Sequence, residues 1–258
     1  MKLISLNTWG GKVYKPLIKF IQDYSKDTDI FCFQEVFYTN SNIKEDFGFR
    51  TNLLNEIKKI LKDHICFFAP TIDNYLVGSF KKEFTNYHLS SGLAIFINKN
   101  LQVKSAGDFF VFRQKNDYEL GNYNTMPRNI QFINFTKSNK KFTICNVHGI
   151  WVDKDKGDTP SRIKQSEMIQ KFLDNEAGEK IVLGDFNLTL NTESIRILEE
   201  NLRNLIKEYK ILSTRSKFFP GDERYADFTL VSSGIKVIYF QVPNIEVSDH
   251  LPMILEFL

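Results

Sequence analysis

Several apolar segments of this chain end abruptly in polar side chains that can bind a metal ion or move a proton. The clearest is EKIVLGDFNLTLN, residues 179–191, where a buried-strand pattern gives way to Asp185 and Asn187. Side chains two positions apart on an extended segment point to the same face, so this carboxylate and this amide share one space. Taken alone, the pair is explained equally well by a turn cap and by a catalytic site.

The same pattern recurs elsewhere along the chain. Polar residues stand at the ends of other predicted strands, namely Asn7, Glu35, His148, Asp227, Asp249 and His250. Because ligands of open α/β sheets gather outside the strand ends, we expect these side chains to meet Asp185 and Asn187 in one site. Each residue alone has an ordinary structural explanation, as a cap, a turn residue or a surface histidine. Only the complete set indicates a site.

The complete set combines carboxylates, amides and histidines, and it contains no cysteine. Oxygen-rich donor sets of this kind suit a hard cation such as Mg²⁺ or Mn²⁺. A cation and histidine donors neutralise the charge that develops on a phosphate during hydrolysis, while a carboxylate positions the attacking water. The residue types therefore predict a metal-dependent phosphoesterase in which water attacks in line with the leaving group.

An ordered series of motifs carries a resemblance to a known family. In chain order the motifs are SLNTW, DIFCFQEV, NVHG, VLGDFN, RYADFTLV and VSDHLP, and they resemble the endonuclease/exonuclease/phosphatase superfamily from Asn7 to Pro252. That superfamily includes deoxyribonuclease I, abasic-site endonucleases, inositol-polyphosphate phosphatases, neutral sphingomyelinases and tyrosyl-DNA phosphodiesterases. The resemblance implies a single catalytic domain, residues 1–258, folded as a four-layered α/β sandwich. In that fold, two mixed β-sheets lie face to face, flanked by helices.

The resemblance also implies a role for each motif residue. At the metal, Glu35 would be the principal ligand, with Asn7 beside it and Asp249 completing the site. Asp185 would orient or deprotonate the attacking water. Asn187 would hold that water or a phosphate oxygen.

Two histidines complete the implied machinery. His250 would donate to the phosphate and stabilise the transition state, and Asp227 would hydrogen-bond to His250 and fix its tautomer. His148 would lie near the leaving-group oxygen. The sequence does not identify the residue that orients His148.

Residues in and around the motifs bear on the substrate. Abasic-site endonucleases often carry an acid where this chain has Trp9 and a tyrosine where it has His148, which disfavours an abasic-site role. The segment MPRNIQF, residues 126–132, is similar to a stretch in the tyrosyl-DNA phosphodiesterases. It makes Arg128 a candidate phosphate clamp, with pairing to a surface acid as an equal alternative. Trp9 and Trp151 are candidates for stacking on a base or an aromatic ring, although core packing is the favoured interpretation.

The charge of the chain limits the substrate only loosely. The 258 residues have a net charge of +3, and the lysines are scattered. This weak charge argues against extended, sequence-independent binding to duplex DNA. Lys156 is accordingly expected on a solvated face. Arg215 could add another phosphate contact, although an exposed position between a helix and a loop is the favoured interpretation. DNA ends remain candidate substrates, beside small-molecule or phospholipid head-group phosphates, and a non-catalytic binding module is a third alternative.

The cysteines indicate the setting of the protein. Cys32, Cys66 and Cys145 are odd in number and two of them lie in apolar runs, so we expect free thiols in a reducing, cytoplasmic setting. No secretory signal and no apolar run of membrane-spanning length is visible. We expect a monomer.

The candidate residues need a scaffold of strands and helices. Hydrophobic periodicity predicts helices over residues 16–24, 49–62, 160–174 and 193–207. It predicts strands over residues 2–7, 29–35, 92–97, 101–112, 128–135, 141–148, 181–183, 226–231, 236–242 and 251–257. The polar segments 71–87 and 116–125 are expected to be loops, and His64 and His88 are expected at the surface.

Overall fold

The structure is a computed structural model that describes residues 1–78, 86–119, 121–152 and 155–258. The strands are, in chain order, β1 (Lys2–Asn7), β2 (Ile30–Tyr38), β3 (Glu45–Asp46), β4 (Phe49–Arg50), β5 (His64–Val77), β6 (Tyr87–Asn98), β7 (Gln102–Phe112), β8 (Arg128–Lys137), β9 (Lys140–His148), β10 (Glu179–Asp185), β11 (Arg203–Asn204), β12 (Asp227–Val231), β13 (Val237–Gln241) and β14 (Met253–Phe257). The α-helices are α1 (Tyr14–Tyr24), α2 (Leu53–Ile60), α3 (Pro160–Asp174), α4 (Glu193–Glu199) and α5 (Leu205–Glu208). Short 3₁₀ helices lie at Trp9–Gly11 and Tyr123–Thr125.

Most strands of the described chain belong to two mixed six-stranded sheets. The first sheet has the order β13-β14-β1-β2-β6-β5, the second has the order β11-β12-β10-β9-β8-β7, and β3 and β4 form a separate hairpin. Each sheet contains a parallel pair among antiparallel neighbours, β1 with β2 in the first and β9 with β10 in the second. Parallel neighbours run in the same direction, so each pair delivers two carboxyl ends to one edge of its sheet.

Helices cover the outer faces of both sheets. Leu17 of α1 and Ile57 of α2 belong to a buried cluster with Phe33 of the first sheet. On the second sheet, the ring of Phe172 in α3 lies against the ring of Phe109 in β7, with centroids 4.9 Å apart. The predicted four-layered α/β sandwich is therefore confirmed.

An apolar core joins the two sheets. Ile30 and Ile95 of the first sheet share one fully buried cluster with Ile130 and Ile144 of the second. Burying a side chain of this size contributes about 2 kcal/mol of transfer free energy. The core therefore holds the sheets face to face and fixes where their edges meet.

A buried polar bridge crosses this core near the ends of β2 and β9. Gln34 Nε2 donates to Asn146 Oδ1 at 2.6 Å, and Asn146 Nδ2 donates to the Phe33 carbonyl oxygen at 3.1 Å. Buried polar groups are costly to leave unpaired, so the bridge favours one alignment of the sheets. That alignment brings Glu35, the next residue of β2, toward the end of β9.

Most of the predicted elements are confirmed, and β1 and α3 match the predicted bounds. The α3 helix begins as expected at Pro160, because the Thr159 side chain accepts from the Arg162 backbone N–H at 3.2 Å. The cysteines are free as expected: Cys32 and Cys145 are buried and Cys66 is half-buried. In the part of the chain that the structure describes, none of the helices has the length and apolarity needed to cross a membrane.

The loop predicted over residues 71–87 is wrong in part. β5 runs to Val77 and β6 begins at Tyr87, while residues 79–85 lie outside the described residues. The far end of this β5–β6 ribbon is largely exposed or half-buried, so its residues need no alternating apolar pattern. His64, at the start of β5, is buried instead of exposed, with Nε2 2.8 Å from the Thr28 carbonyl oxygen. His88 is exposed as expected.

The single helix predicted over residues 193–207 is also wrong. The α4 helix ends at Glu199, and β11 pairs with β12 before α5 begins. Asn204 caps the new helix, since its Oδ1 accepts from the Ile206 backbone N–H at 3.0 Å. Continuous helical periodicity across residues 193–207 hides this break.

Gly184 is required where β10 enters the site. Its φ is +128°, a region that L side chains rarely adopt, and a Cβ at this position would lie 2.2 Å from the Val147 carbonyl oxygen. We expect Gly184→Ala to lower the free energy of unfolding by about 2 kcal/mol or more, because strain and clash add. Urea denaturation measures this loss.

Gly48→Ala is the matched control for Gly184→Ala. Gly48 also has a positive φ, +78°, but nothing lies within 4 Å of an added Cβ. Its substitution should cost only about 1 kcal/mol, from the backbone conformation alone. Equal losses in the two variants would show that the contact between β9 and β10 at Gly184 does not constrain the fold.

Candidate active site

Strand register places three predicted site residues in one row. In the second sheet, Asp185 of β10 lies opposite His148 of β9 on one side and Asp227 of β12 on the other. Residues opposite each other on neighbouring strands point to the same face of a sheet. The row therefore follows from hydrogen-bond register, and it brings together residues that are far apart in the sequence.

Glu35 reaches the site through a break in its strand. The pairing of β2 with β6 shifts between Phe33 and Val36, and Glu35 has a φ of +55°. Bulges of this kind redirect a side chain away from its regular face. Glu35 is thereby turned toward Asn7, whose Nδ2 donates to Glu35 Oε1 at 3.1 Å.

Asn7 connects the acids of the two sheets. Its Nδ2 also donates to Asp185 Oδ2 at 3.0 Å, while its Oδ1 accepts from the Trp9 backbone N–H at 3.0 Å. The amide nitrogen thus faces the carboxylates and the amide oxygen faces the backbone. Asn7 is part of the site, and its role as a metal ligand remains a prediction.

Asp185 is a buried carboxylate surrounded by donors and cations. Its Oδ1 accepts from the Asn187 backbone N–H at 2.8 Å, and its Oδ2 lies 3.5 Å from His250 Nε2 and 3.7 Å from His148 Nε2. Burial alone would raise the pKa of Asp185, but the charges of His250 and Arg215 outweigh burial and hold that pKa well below its usual range. Asp185 therefore stays ionised at neutral pH.

His250 and Asp227 form a hydrogen-bonded pair. His250 Nδ1 lies 2.8 Å from Asp227 Oδ2, so Nδ1–H donates to Asp227 and Nε2 faces Asp185. Burial and Arg215 would lower the pKa of His250, but the carboxylates of Asp227, Asp249 and Asp185 raise it overall. The pair agrees with the orienting role expected for Asp227.

His148 lies beside Arg128. The Arg128 Nη1 atom is 3.2 Å from each ring nitrogen of His148, and the imidazole is 3.7 Å from Glu35 Oε1. Burial and the Arg128 charge hold the pKa of His148 well below its usual value, so this histidine is neutral. Arg128 is buried against the site instead of pairing with a surface acid. Arg128 is also the contact of His148 that could orient its ring, a residue that the sequence does not identify.

Arg215 is a site residue, although the sequence favours an exposed position for it over a phosphate contact. Its side chain is only 7% exposed, contrary to the exposed loop expected for it. The backbone of Arg215 bridges to His250, and its Nη1 contacts His250 Nε2 and lies 3.4 Å from Asp249 Oδ2. Its guanidinium also lies 4.2 Å from the ring centroid of Phe219. The only sequence signal is that Thr214-Arg215 shortly precedes the Asp227 motif.

Lys156 is a site residue that sequence reasoning misses, and it is not on a solvated face. Its Nζ donates to Asn187 Oδ1 at 2.7 Å, and its carbonyl oxygen accepts from the Thr189 backbone N–H at 3.0 Å. The fully buried Arg162 anchors the same loop by donating to the carbonyl oxygens of Gly157 at 2.7 Å and Asp155 at 2.9 Å. The only sign of this role in the sequence is the position of Lys156, because its loop directly follows the strand that ends at His148.

Glu35 and Asp249 form the part of the site that best fits a divalent cation. Burial and the like charge of Asp249 raise the pKa of Glu35, against the bond from Asn7. A buried carboxylate whose ionisation is disfavoured by a second carboxylate is an oxygen donor whose charge a hard cation stabilises. The metal-ligand roles of Glu35 and Asp249 remain predictions.

A second grouping of ligand atoms, all within 4.8 Å of one another, is formed by Asp185, Asp227 and His250. In that grouping the Asp227 carboxylate already accepts from His250 Nδ1, and Arg215 contacts His250 Nε2. A cation there would compete with both contacts. The Glu35 side of the site is therefore the better candidate.

Trp9 and Trp151 are half-buried, so neither is a fully packed core residue. The Lys12 ammonium lies 4.3 Å from the Trp9 ring centroid. The ring of Trp151 packs edge-on against Tyr123, with centroids 6.4 Å apart, and Tyr123 is 62% exposed. Substrate stacking on these rings remains a prediction.

Comparison with known proteins places this arrangement in context. The sequence model of a family described as "Endonuclease/Exonuclease/phosphatase family" matches residues 4–250. No curated protein sequence matches the chain significantly. A mannosyl-6-phosphatase from Bacteroides thetaiotaomicron has a similar structure, with a TM-score of 0.71 and 19% identity, covering 100% of this chain and 99% of that chain.

Two further solved structures are similar. A D. rerio TDP2 humanized by 14 mutations has a TM-score of 0.69 and 14% identity, covering 100% of this chain and 98% of that chain. An endonuclease/exonuclease/phosphatase from Bacteroides vulgatus has a TM-score of 0.69 and 17% identity, with the same coverage of 100% and 98%. At these identities the likeness shows a shared fold and does not identify a substrate.

Proposed function

The chain belongs to the endonuclease/exonuclease/phosphatase family, and on this premise we propose that it hydrolyses a phosphate ester with the help of a divalent cation. One observation carries the proposal: the ionised Asp185 is held between His148 and His250 at the edge where both sheets end. A carboxylate kept ionised beside two histidines is suited to position water and to hand on protons.

The cation of this proposal is Mg²⁺, with Mn²⁺ able to substitute. Glu35 and Asp249 would hold it, with Asn7 beside them. When bound, such a cation neutralises the charge that develops on the phosphate oxygens. The carboxylate pair described above suits this ion, because hard oxygen donors are what Mg²⁺ prefers.

The chain's own residues divide the remaining work. Asp185 orients the attacking water and accepts its proton, while Asn187 holds that water or a phosphate oxygen. When protonated, His250 would donate from Nε2 to the phosphate in place of its contact with Arg215, and Asp227 keeps the imidazole in the orientation that allows this. His148 and Arg128 lie on the side where we place the leaving-group oxygen and the phosphate clamp.

The substrate class has two candidates within this proposal. DNA ends are one, and the similarity of the segment MPRNIQF, residues 126–132, to a stretch in the tyrosyl-DNA phosphodiesterases is consistent with them. Small-molecule or phospholipid head-group phosphates are the other, and the similar mannosyl-6-phosphatase fits that class. A non-catalytic module is disfavoured because the expected catalytic positions still carry functional residues, namely Glu35, Asp185 and His250.

A metal titration tests the proposed function. We expect wild-type protein to hydrolyse p-nitrophenyl phosphate or bis-p-nitrophenyl phosphate in Mg²⁺ or Mn²⁺. The hydrolysis should stop in EDTA and resume when Mg²⁺ is restored. Glu35→Gln should raise the Mg²⁺ concentration for half-maximal rate by about 10-fold or more. Glu167→Gln, on the exposed face of α3, is the matched control and should leave it unchanged.

Two outcomes would count against this function. Hydrolysis that persists in EDTA would show that the reaction does not need a divalent cation. No hydrolysis of either ester, or of tyrosyl-linked DNA, abasic DNA and a phosphoinositide head group in the same assay, would favour the non-catalytic alternative.

A further inference from the structure

Three cationic side chains contact the residues that surround Asp185: Lys156 Nζ donates to Asn187 Oδ1 at 2.7 Å, Arg128 Nη1 lies 3.2 Å from His148, and Arg215 Nη1 contacts His250 Nε2. Lys156 and Arg215 lie close enough to affect each other: burial first, and then the Arg215 charge, lower the pKa of Lys156 to about 8 against the pull of Asp185. Arg128 lies beside His148. This is a concentration of positive charge around the one carboxylate assigned to the attacking water.

The protein itself neutralises these cations incompletely. In the part of the chain that the structure describes, Lys156 and Arg128 form no ion pair with a carboxylate, and Arg215 reaches Asp249 at 3.4 Å. The Nε atoms of Arg128 and Arg215 are buried, and neither has a hydrogen-bond partner among the described residues. Buried charges and donors in proteins are normally paired. Among the described residues, Arg128 and Lys156 therefore lack a carboxylate partner, and a substrate phosphate would supply the missing negative charge.

We propose that Arg128, Lys156 and Arg215 together bind the terminal phosphate of a phosphomonoester, so that this site acts on monoesters in preference to diesters. This inference rests on the proposed function and names its substrate class. A monoester phosphate carries a charge of about −1.5 to −2 at pH 7 and has three terminal oxygens. A diester carries one negative charge and two terminal oxygens, and an ester group occupies the third position. Three separate cationic side chains match the first species better than the second.

The reaction is a simple hydrolysis. The oxygen of water forms a bond to phosphorus as the bond between phosphorus and the leaving alcohol oxygen breaks. One water proton passes to Asp185 and from there to solvent, the other stays on the new phosphate oxygen, and the leaving alcohol oxygen takes a proton from solvent, so the products are an alcohol and inorganic phosphate. No oxidant, reductant or other co-reactant is needed.

Paired substrates test this inference. In Lys156→Met and Arg215→Met, kcat/KM for p-nitrophenyl phosphate should fall about 10- to 100-fold, because each variant loses a charge-assisted contact to the third oxygen. For bis-p-nitrophenyl phosphate the loss should be about 10-fold smaller than for the monoester, because the diester has no third terminal oxygen to contact. Lys156→Arg should recover part of the monoester rate. Lys19→Met and Arg196→Met, whose wild-type side chains are 74% and 65% exposed, are matched controls and should behave as wild type on both esters.

The binding of inorganic phosphate to this cluster can be measured without turnover. Titration calorimetry with inorganic phosphate and Mg²⁺ should show binding to the wild type and binding weakened about 10-fold or more in Lys156→Met. Dimethyl phosphate should bind weakly and equally to both proteins. Equal losses of monoester and diester rates, or unchanged phosphate binding, would overturn the preference while leaving the proposed hydrolysis intact. Failure of the wild type to hydrolyse either ester would instead overturn the proposed function.

Discussion

Asp185→Asn should reduce kcat for phosphate-ester hydrolysis about 10³-fold while the protein remains folded. The substitution keeps the size of the side chain and an oxygen that accepts from the Asn187 backbone N–H, a bond of 2.8 Å in the wild type. It removes the negative charge that His250 and Arg215 hold in the ionised state. Without that charge the water is neither oriented nor deprotonated. Steady-state kinetics at saturating Mg²⁺ measures the effect.

Asp174→Asn is the matched control for this prediction. Asp174 is exposed at the end of α3, and its carboxylate accepts only from Gln170 Nε2 among the described side chains, at 2.9 Å. Its loss should leave kcat within error of the wild type. Circular dichroism should show the same fold in both variants. A rate for Asp185→Asn within a factor of about 10 of the wild type would remove Asp185 from the chemistry.

His250→Gln should reduce kcat about 10²- to 10³-fold, which is the usual cost of losing a donor to a developing oxyanion. Nε2 of His250 faces Asp185, while Nδ1 is bonded to Asp227 at 2.8 Å. A glutamine retains polarity but cannot supply the same donor from that position. His88→Gln changes an exposed histidine outside the site and serves as the control.

Asp227→Asn separates positioning from direct catalysis. Asp227 is among the carboxylates that raise the pKa of His250, so the protonated histidine persists to higher pH than it would without them. If protonated His250 is the active form, activity falls as pH rises through that raised pKa. Removing the Asp227 charge lowers the pKa, so the alkaline limb of the kcat profile should move to lower pH. An unmoved limb would show that Asp227 does not act through His250.

The strand-end residues could be predicted because the local sequence shows polar side chains directly after an apolar strand pattern. Asp185 and Asn187 follow a buried strand at a spacing of two, and the extended chain alone places them on one face. The row formed with His148 and Asp227 needs the register of three strands, which no single segment encodes. The family resemblance supplied that assembly in advance, and strand pairing explains it physically.

Arg215 and Lys156 could not be found in the same way. Both lie in loops, and their positions depend on tertiary contacts: the bridge to His250 fixes Arg215, and the buried Arg162 fixes the loop of Lys156. A lysine in a polar loop has the same local sequence pattern whether it faces solvent or an active site. The helix start at Asn204 could not be predicted either, because its capping bond lies inside a continuous helical pattern.

The most direct test of the account is the fate of solvent oxygen. Wild-type protein should hydrolyse p-nitrophenyl phosphate in ¹⁸O-labelled water with Mg²⁺, and mass spectrometry of the products locates the label. Attack of water on phosphorus predicts one labelled oxygen in each phosphate released, none in the p-nitrophenol, and negligible product from Asp185→Asn. Label in the phenol, or phosphate without label, would contradict attack of water on phosphorus at this site.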